Sequence, residues 1–158
     1  MKLKKLLFAA LLMAAFTTSI HAQGYNTALG LRLGYDSGLT LKHFFRPASA
    51  GEFILAASSH HFALTGLNEY QQPIPGAPGL DWFVGIGAHI GSYNDHHLHH
   101  HHPDDGFLLG ADLIGGIEYL FPRAPFNISL DWKPSINFIN DNDYWYSGFA
   151  LSLRYTFR

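Results

Sequence analysis

Between Phe149 and Phe157 every second residue is large and apolar. Phe149, Leu151, Leu153, Tyr155 and Phe157 alternate with Ala150, Ser152, Arg154 and Thr156. A period of two puts these sets on opposite faces of an extended strand. The pattern recurs. Leu29, Leu31, Leu33 and Tyr35 alternate with Ala28, Gly30, Arg32 and Gly34, and Trp82, Val84, Ile86 and Ile90 alternate with Asp81, Gly85, Gly87 and His89. Ile128, Leu130, Trp132 and Ile136 alternate with Ser129, Asp131 and Lys133. The spacing predicts eight strands: Thr27–Tyr35, Gly38–Phe45, Glu52–Ser58, His61–Gln71, Leu80–Gly91, Gly106–Phe121, Phe126–Asn140 and Ser147–Phe157. Strand four fits least well, because Asn68 falls on its apolar face.

Residues 1–22 read differently. Lys2, Lys4 and Lys5 precede an apolar run from Leu6 to Phe16, and a short segment ends at Ala22. This order is that of a secretory signal peptide, with cleavage expected after Ala22 and the barrel in 23–158. Setting the three signal lysines aside leaves seven Lys and Arg against twelve Asp and Glu, which argues against a nucleic-acid partner. Cysteine is absent, so no disulfide supports the fold. Charged residues are 14% of the chain, against about 25% in soluble domains. No later segment has the roughly 18 continuous apolar residues of a membrane helix. Lipid admits only helices and closed sheets, so an exported, apolar, strand-rich chain points to a closed barrel.

The connections alternate in character. Those after strands two, four and six carry proline: Arg46-Pro47, Pro73 to Pro78, and Pro122 to Pro125. Those after strands one, three, five and seven are rich in Asp, Ser, His and Asn: Asp36-Ser37, Ser59-His60, Tyr93 to Asp105, and Asp141 to Asp143. In an up-and-down barrel alternate connections share an end, so one end carries proline turns and the other polar loops. Small residues on the polar face suit a narrow, crowded lumen, and aromatics near the strand ends suit membrane interfaces. The polar face also carries both signs of charge: Arg32, Lys42, Lys133 and Arg154 against Glu52, Glu69, Asp81, Asp112, Glu118 and Asp131. Buried charges must pair, so these ten are expected to form an interior ionic network. Leu151 should face outward and Arg154 inward.

The ending Ala150-Leu-Ser-Leu-Arg-Tyr-Thr-Phe157 resembles the C-terminal signal read by the outer-membrane barrel assembly machinery, with Tyr155 and Phe157 as its aromatics. Arg158 follows the final aromatic, a departure from that pattern. Leu29-Gly-Leu-Arg-Leu-Gly-Tyr35, Gly115-Gly-Ile-Glu-Tyr-Leu-Phe-Pro122 and Asn127-Ile-Ser-Leu-Asp-Trp-Lys-Pro134 resemble small outer-membrane barrels of the OmpA/OmpX-like kind. The resemblance implies an all-β, closed, antiparallel, up-and-down transmembrane barrel in the outer membrane. It implies outer-membrane lipid, periplasmic chaperones and the barrel assembly machinery as partners, and a monomer.

Three groups of residues could carry chemistry. His96, His97, His99, His100, His101 and His102, followed by Asp104 and Asp105, could hold Zn²⁺, Ni²⁺ or Cu²⁺ loosely; no other cofactor is expected. Ser59 and His61 invite comparison with lipid A deacylases, small barrels with a lipid-facing Ser–His pair, although no acidic partner is placed by the sequence. His43, on an apolar face between Leu41 and Phe45, reads as an interface side chain or a lipid-head contact. The first expectation is a non-enzymatic barrel with a filled polar interior and no general pore. A lipid-modifying enzyme and a soluble periplasmic barrel binding an apolar ligand are the alternatives.

Overall fold

The structure, a computed structural model, describes residues 24–57, 61–93, 106–139 and 145–157. Within them lie eight strands: β1 (Thr27–Gly34), β2 (Gly38–Arg46), β3 (Ser49–Ala57), β4 (His61–Pro73), β5 (Leu80–Tyr93), β6 (Gly106–Leu120), β7 (Phe126–Asn137) and β8 (Trp145–Phe157). Each pairs antiparallel with its sequence neighbours, and β8 returns to β1 to close the barrel. Among the described residues no helix is long and apolar enough to cross a membrane. The chain is thus an all-β, closed, up-and-down barrel of eight antiparallel strands.

Every strand differs from the periodicity by one to three residues at an end; β5 runs to Tyr93 instead of Gly91, and β8 begins at Trp145 instead of Ser147. β3 begins at Ser49 instead of Glu52, because the β2–β3 turn is only Pro47 and Ala48, with Ala48 at φ 69°. β4 runs on to Pro73, which pairs with Asp81; a proline is tolerated at a strand terminus, where its missing N–H costs the ladder little. β7 stops at Asn137 instead of Asn140. Inside β7, Pro134 interrupts pairing with β6: the ladder lapses between Asp112↔Ser135 and Gly115↔Trp132.

The two faces of this sheet have inverted polarity compared with a soluble protein. Leu29, Leu31, Leu33, Ile86, Leu113, Leu130, Phe149 and Leu153 are exposed on the outside. Leu151 is 43% exposed, whereas Arg154 is 0% exposed in the lumen. Tyr70, Phe126, Tyr155 and Phe157 ring the outer wall at the proline-turn end. Tyr70 meets Trp82 edge to face at 6.0 Å, and Tyr155 meets Phe126 at 5.4 Å. These rings are amphipathic or polarisable and suit the boundary between hydrocarbon and headgroups.

Small residues make the narrow lumen possible. A Cβ on Gly87 would lie 1.9 Å from the Gly66 carbonyl oxygen and 2.8 Å from Leu67 Cα, both backbone atoms of the paired strand. Gly115 faces outward, and its nearest neighbour would be a Val84 methyl at 3.8 Å. Gly87→Val is therefore expected to abolish the compact, heat-modifiable band in cold SDS electrophoresis, while Gly115→Ala keeps it. A folded Gly87→Val barrel would contradict this account of the wall.

Candidate functional site

The lumen is where the side chains with chemical potential converge. β1 and β7 contribute one centre. Arg32 donates to Asp131 through both terminal nitrogens, at 2.7 and 2.6 Å. The planar guanidinium and the carboxylate match in a two-bond fork, which holds both in a fixed orientation.

Toward the proline-turn end lies a second cluster. Arg154 donates to Glu52 and to Ser129 Oγ at 2.8 Å, and Thr40 Oγ1 accepts from its Nε at 3.2 Å. Lys42 pairs with Glu69 at 2.8 Å and with Glu118 at 3.4 Å. Its ammonium also sits 4.3 Å from the centre of the Phe83 ring, a cation–π contact that covers a fully buried charge. Phe83 belongs to an apolar plug with Ile54, Leu67 and Ile114. Below the cluster, Tyr25 enters from the segment before β1 and donates to Glu118 at 2.5 Å. Burial, reinforced by the Glu118 charge, pushes the Tyr25 phenol well above its ordinary pKa, so it remains a donor. Its ring packs on Phe44 at 5.2 Å, with Ala28 and Ala50 beside it.

A third cluster sits toward the polar-loop end. Lys133 pairs with Asp112 at 2.8 Å and with Asp36 at 2.7 Å. Asp112 also meets His89 Nδ1 at 2.8 Å and accepts from Ser135. The other ring nitrogen of His89 faces Asn137 Oδ1 at 2.8 Å and Tyr146 Oη at 3.1 Å. The hydroxyl that meets that nitrogen is the phenol of Tyr146; no serine or cysteine does so among the described residues.

Nine of the ten charges singled out in the sequence are therefore joined in ion pairs: Arg32, Lys42, Glu52, Glu69, Asp112, Glu118, Asp131, Lys133 and Arg154. Asp81 departs from the expected network. It is half-buried at the start of β5 and accepts from Gln71 Nε2 at 2.8 Å instead of from a cation. Its position at the rim, where solvent shares the load, removes the need for a counter-ion. Tyr25, Asp36, Gln71 and Tyr146 were not legible as members. Tyr25 and Asp36 lie outside the strands, where periodicity gives no direction. Ser59 and His96, His97, His99, His100, His101 and His102 lie outside the described residues, as does the side chain of His61.

Two solved structures share this architecture. The N-terminal β-barrel domain of Pseudomonas aeruginosa OprF matches with a TM-score of 0.60 at 14% identity, covering 84% of this chain and 100% of that one. Neisserial surface protein A (NspA) matches with a TM-score of 0.51 at 12% identity, covering 83% of this chain and 93% of that one. Both are small outer-membrane β-barrels. This chain has their fold. No protein-family model matches the sequence, and no curated protein does. At these identities the likeness concerns architecture, so the lumen must be read from its own residues.

Those residues make a lumen in which every lysine and arginine is met by at least one carboxylate. An open groove of about 440 Å³ lies elsewhere, at the turn end between Pro122–Pro125 and Tyr155–Phe157, and Arg123 is its one charged lining residue. It offers no acid–base pair. Removing one member of a buried pair should strand its partner. Asp131→Ala is expected to cost about 3–5 kcal/mol in urea unfolding of the detergent-folded barrel. The double variant Arg32→Leu with Asp131→Leu should recover most of that loss. Equal stability of the single variant and the native chain would show the pair to be dispensable.

Proposed function

We propose that this chain is an integral outer-membrane barrel with a non-enzymatic, structural or surface-interaction role and no general diffusion pore. One observation carries the reading: apolar side chains cover the outside while Arg32, Lys42, Lys133 and Arg154 are buried inside with carboxylates. A water-soluble ligand-binding barrel needs the reverse. A contiguous apolar belt of this extent exposed to water would drive aggregation, whereas in acyl chains it anchors. The architecture shared with OprF and NspA supports the same location. Tyr155 and Phe157 lie on the outer face of β8, next to β1, which suits an aromatic signal for the assembly machinery. Periplasmic chaperones would carry the chain there, and a monomer suffices, since the closed ladder presents no edge.

The absence of a general pore follows from crowding. Lys42, Glu52, Glu69 and Arg154 reach toward one another across the lumen from β2, β3, β4 and β8. Phe83, Ile54, Leu67 and Ile114 pack beside them. Moving ions through would require breaking buried pairs. The purified barrel should remain in the pellet after carbonate washing of membranes and dissolve only in detergent. In planar bilayers it should give no large, stable channels. Release by carbonate would return the reading to a soluble barrel, and porin-sized conductance would overturn the filled lumen. Ser59→Ala with His61→Ala should leave lipid A acylation unchanged; a change would favour the lipid-modifying alternative.

The histidine-rich segment adds a second expectation. Six imidazoles within His96–His102 chelate divalent transition metals whatever their purpose. The untagged barrel should bind a nickel resin, and replacing the six with serine should abolish retention.

A further inference from the structure

We propose that His43 and Arg46, on the outer wall at the proline-turn end, bind the phosphodiester headgroup of an anionic phospholipid. The inference rests on the membrane reading above and specifies one contact that the lipid makes.

The backbone supplies the first observation. In an unbroken strand Arg46 would follow Lys42 and Phe44 into the lumen. The register instead shifts between Phe44 and Arg46: Phe44 pairs with Ala50, Arg46 pairs with Ser49, and Phe45 is the extra residue. A bulge of this kind reverses the alternation beyond it. His43, Phe45 and Arg46 are consequently all exposed. The bulge costs regular pairing, and its result is to carry a guanidinium to the same side as an imidazole.

The side chains supply the second. Thr27 Oγ1 lies 2.8 Å from His43 Nδ1, across the β1–β2 pair, and this bond fixes the ring. When the hydroxyl donates to Nδ1, Nε2 carries the proton and faces outward without a partner among the described residues. A neutral imidazole in that tautomer is already a donor for a phosphate oxygen. Phe45 packs edge-on to His43 at 5.2 Å and is 61% exposed, a surface for the adjoining acyl chain. Arg46 makes no ion pair or side-chain hydrogen bond among the described residues. A free guanidinium beside a fixed N–H is the donor set of a phosphate site.

Charge distribution supplies the third. Turn residues 47–48, 74–79 and 121–125 contain Arg123 and no acid. Asp81, the acid at this rim, is held by Gln71. Among the described residues, these turns therefore set no acid against an anionic headgroup at His43 and Arg46. The aromatic ring of Tyr70, Tyr155 and Phe157 marks this end as a lipid–water boundary, which places the two donors at headgroup depth.

The test uses the folded full chain in mixed detergent micelles holding equal phosphatidylglycerol and phosphatidylcholine, with retained lipids counted by native mass spectrometry. The native barrel should retain phosphatidylglycerol preferentially. His43→Leu with Arg46→Gln should lower that preference about fivefold, while Arg46→Lys keeps most of it. Arg123→Gln, remote from the bulge, should change it less than twofold. Soluble glycerol phosphate in tenfold excess should not displace the lipid, because Phe45 holds the acyl chain. An unchanged preference in the double variant, equal retention of both lipids by the native barrel, or full displacement by glycerol phosphate would overturn the assignment. Insertion into phosphatidylcholine vesicles is scored alongside. If both proteins insert and neither selects, the headgroup site fails alone. If neither inserts, the membrane reading fails and the site with it.

Discussion

The pairing of β8 with β1 is the interaction on which everything else depends. Eight residues, Thr27 to Gly34, find partners from Phe157 to Ala150, and with them the sheet loses its edges. In hydrocarbon an unpaired N–H or C=O costs several kcal/mol, so a sheet is admissible there only when closed. Closure then dictates the rest. A small barrel has an inside with almost no room, and its alternating side chains must divide between a crowded lumen and an apolar outer wall. Glycine, alanine and serine take the crowded positions, and ions enter only with partners.

The division between faces was open to reading because period two leaves no ambiguity once the strand is extended. Leu151 and Arg154 differ by three positions and therefore face oppositely, whichever face is wet. Which acid meets which cation was not open to reading. Lys42 and Glu118 are 76 positions apart, and Arg154 and Thr40 are 114 apart. Those meetings depend on the registers of every strand between, and a single bulge changes them. The bulge at Phe45 had no glycine to announce it, and Ala48 adopts a positive φ at a position where glycine would be the usual signal. Both features follow from the tight β2–β3 turn, a constraint set by pairing and not by local preference. Tyr25 was hidden for a different reason: it precedes the first strand and gains its place from Glu118, 93 positions away, and from the Phe44 ring.

The lumen is stratified. Ionic groups occupy both ends, and the apolar plug of Ile54, Leu67, Phe83 and Ile114 adjoins the lower cluster through the Lys42–Phe83 contact. Such an interior is expensive to desolvate, and paired ions seldom add net stability over well-packed hydrocarbon. Their value here is geometric. Each pair ties distant strands together: Arg32 of β1 to Asp131 of β7, Arg154 of β8 to Glu52 of β3, Lys42 of β2 to Glu118 of β6. A hydrocarbon filling would tolerate sliding among similar shapes, whereas a two-bond fork between guanidinium and carboxylate accepts one alignment.

Arg154 sits on β8, the strand that closes onto β1, yet it answers carboxylates on β3 and β6. Without that strand, Glu52, Glu69 and Glu118 would have only Lys42 as a pairing cation. Arrival of the final segment supplies the missing cation and the missing edge in one event. The contact that closes the ring thereby also brings the second cation to these three carboxylates, so a barrel sealed without β8 would leave them facing one ammonium.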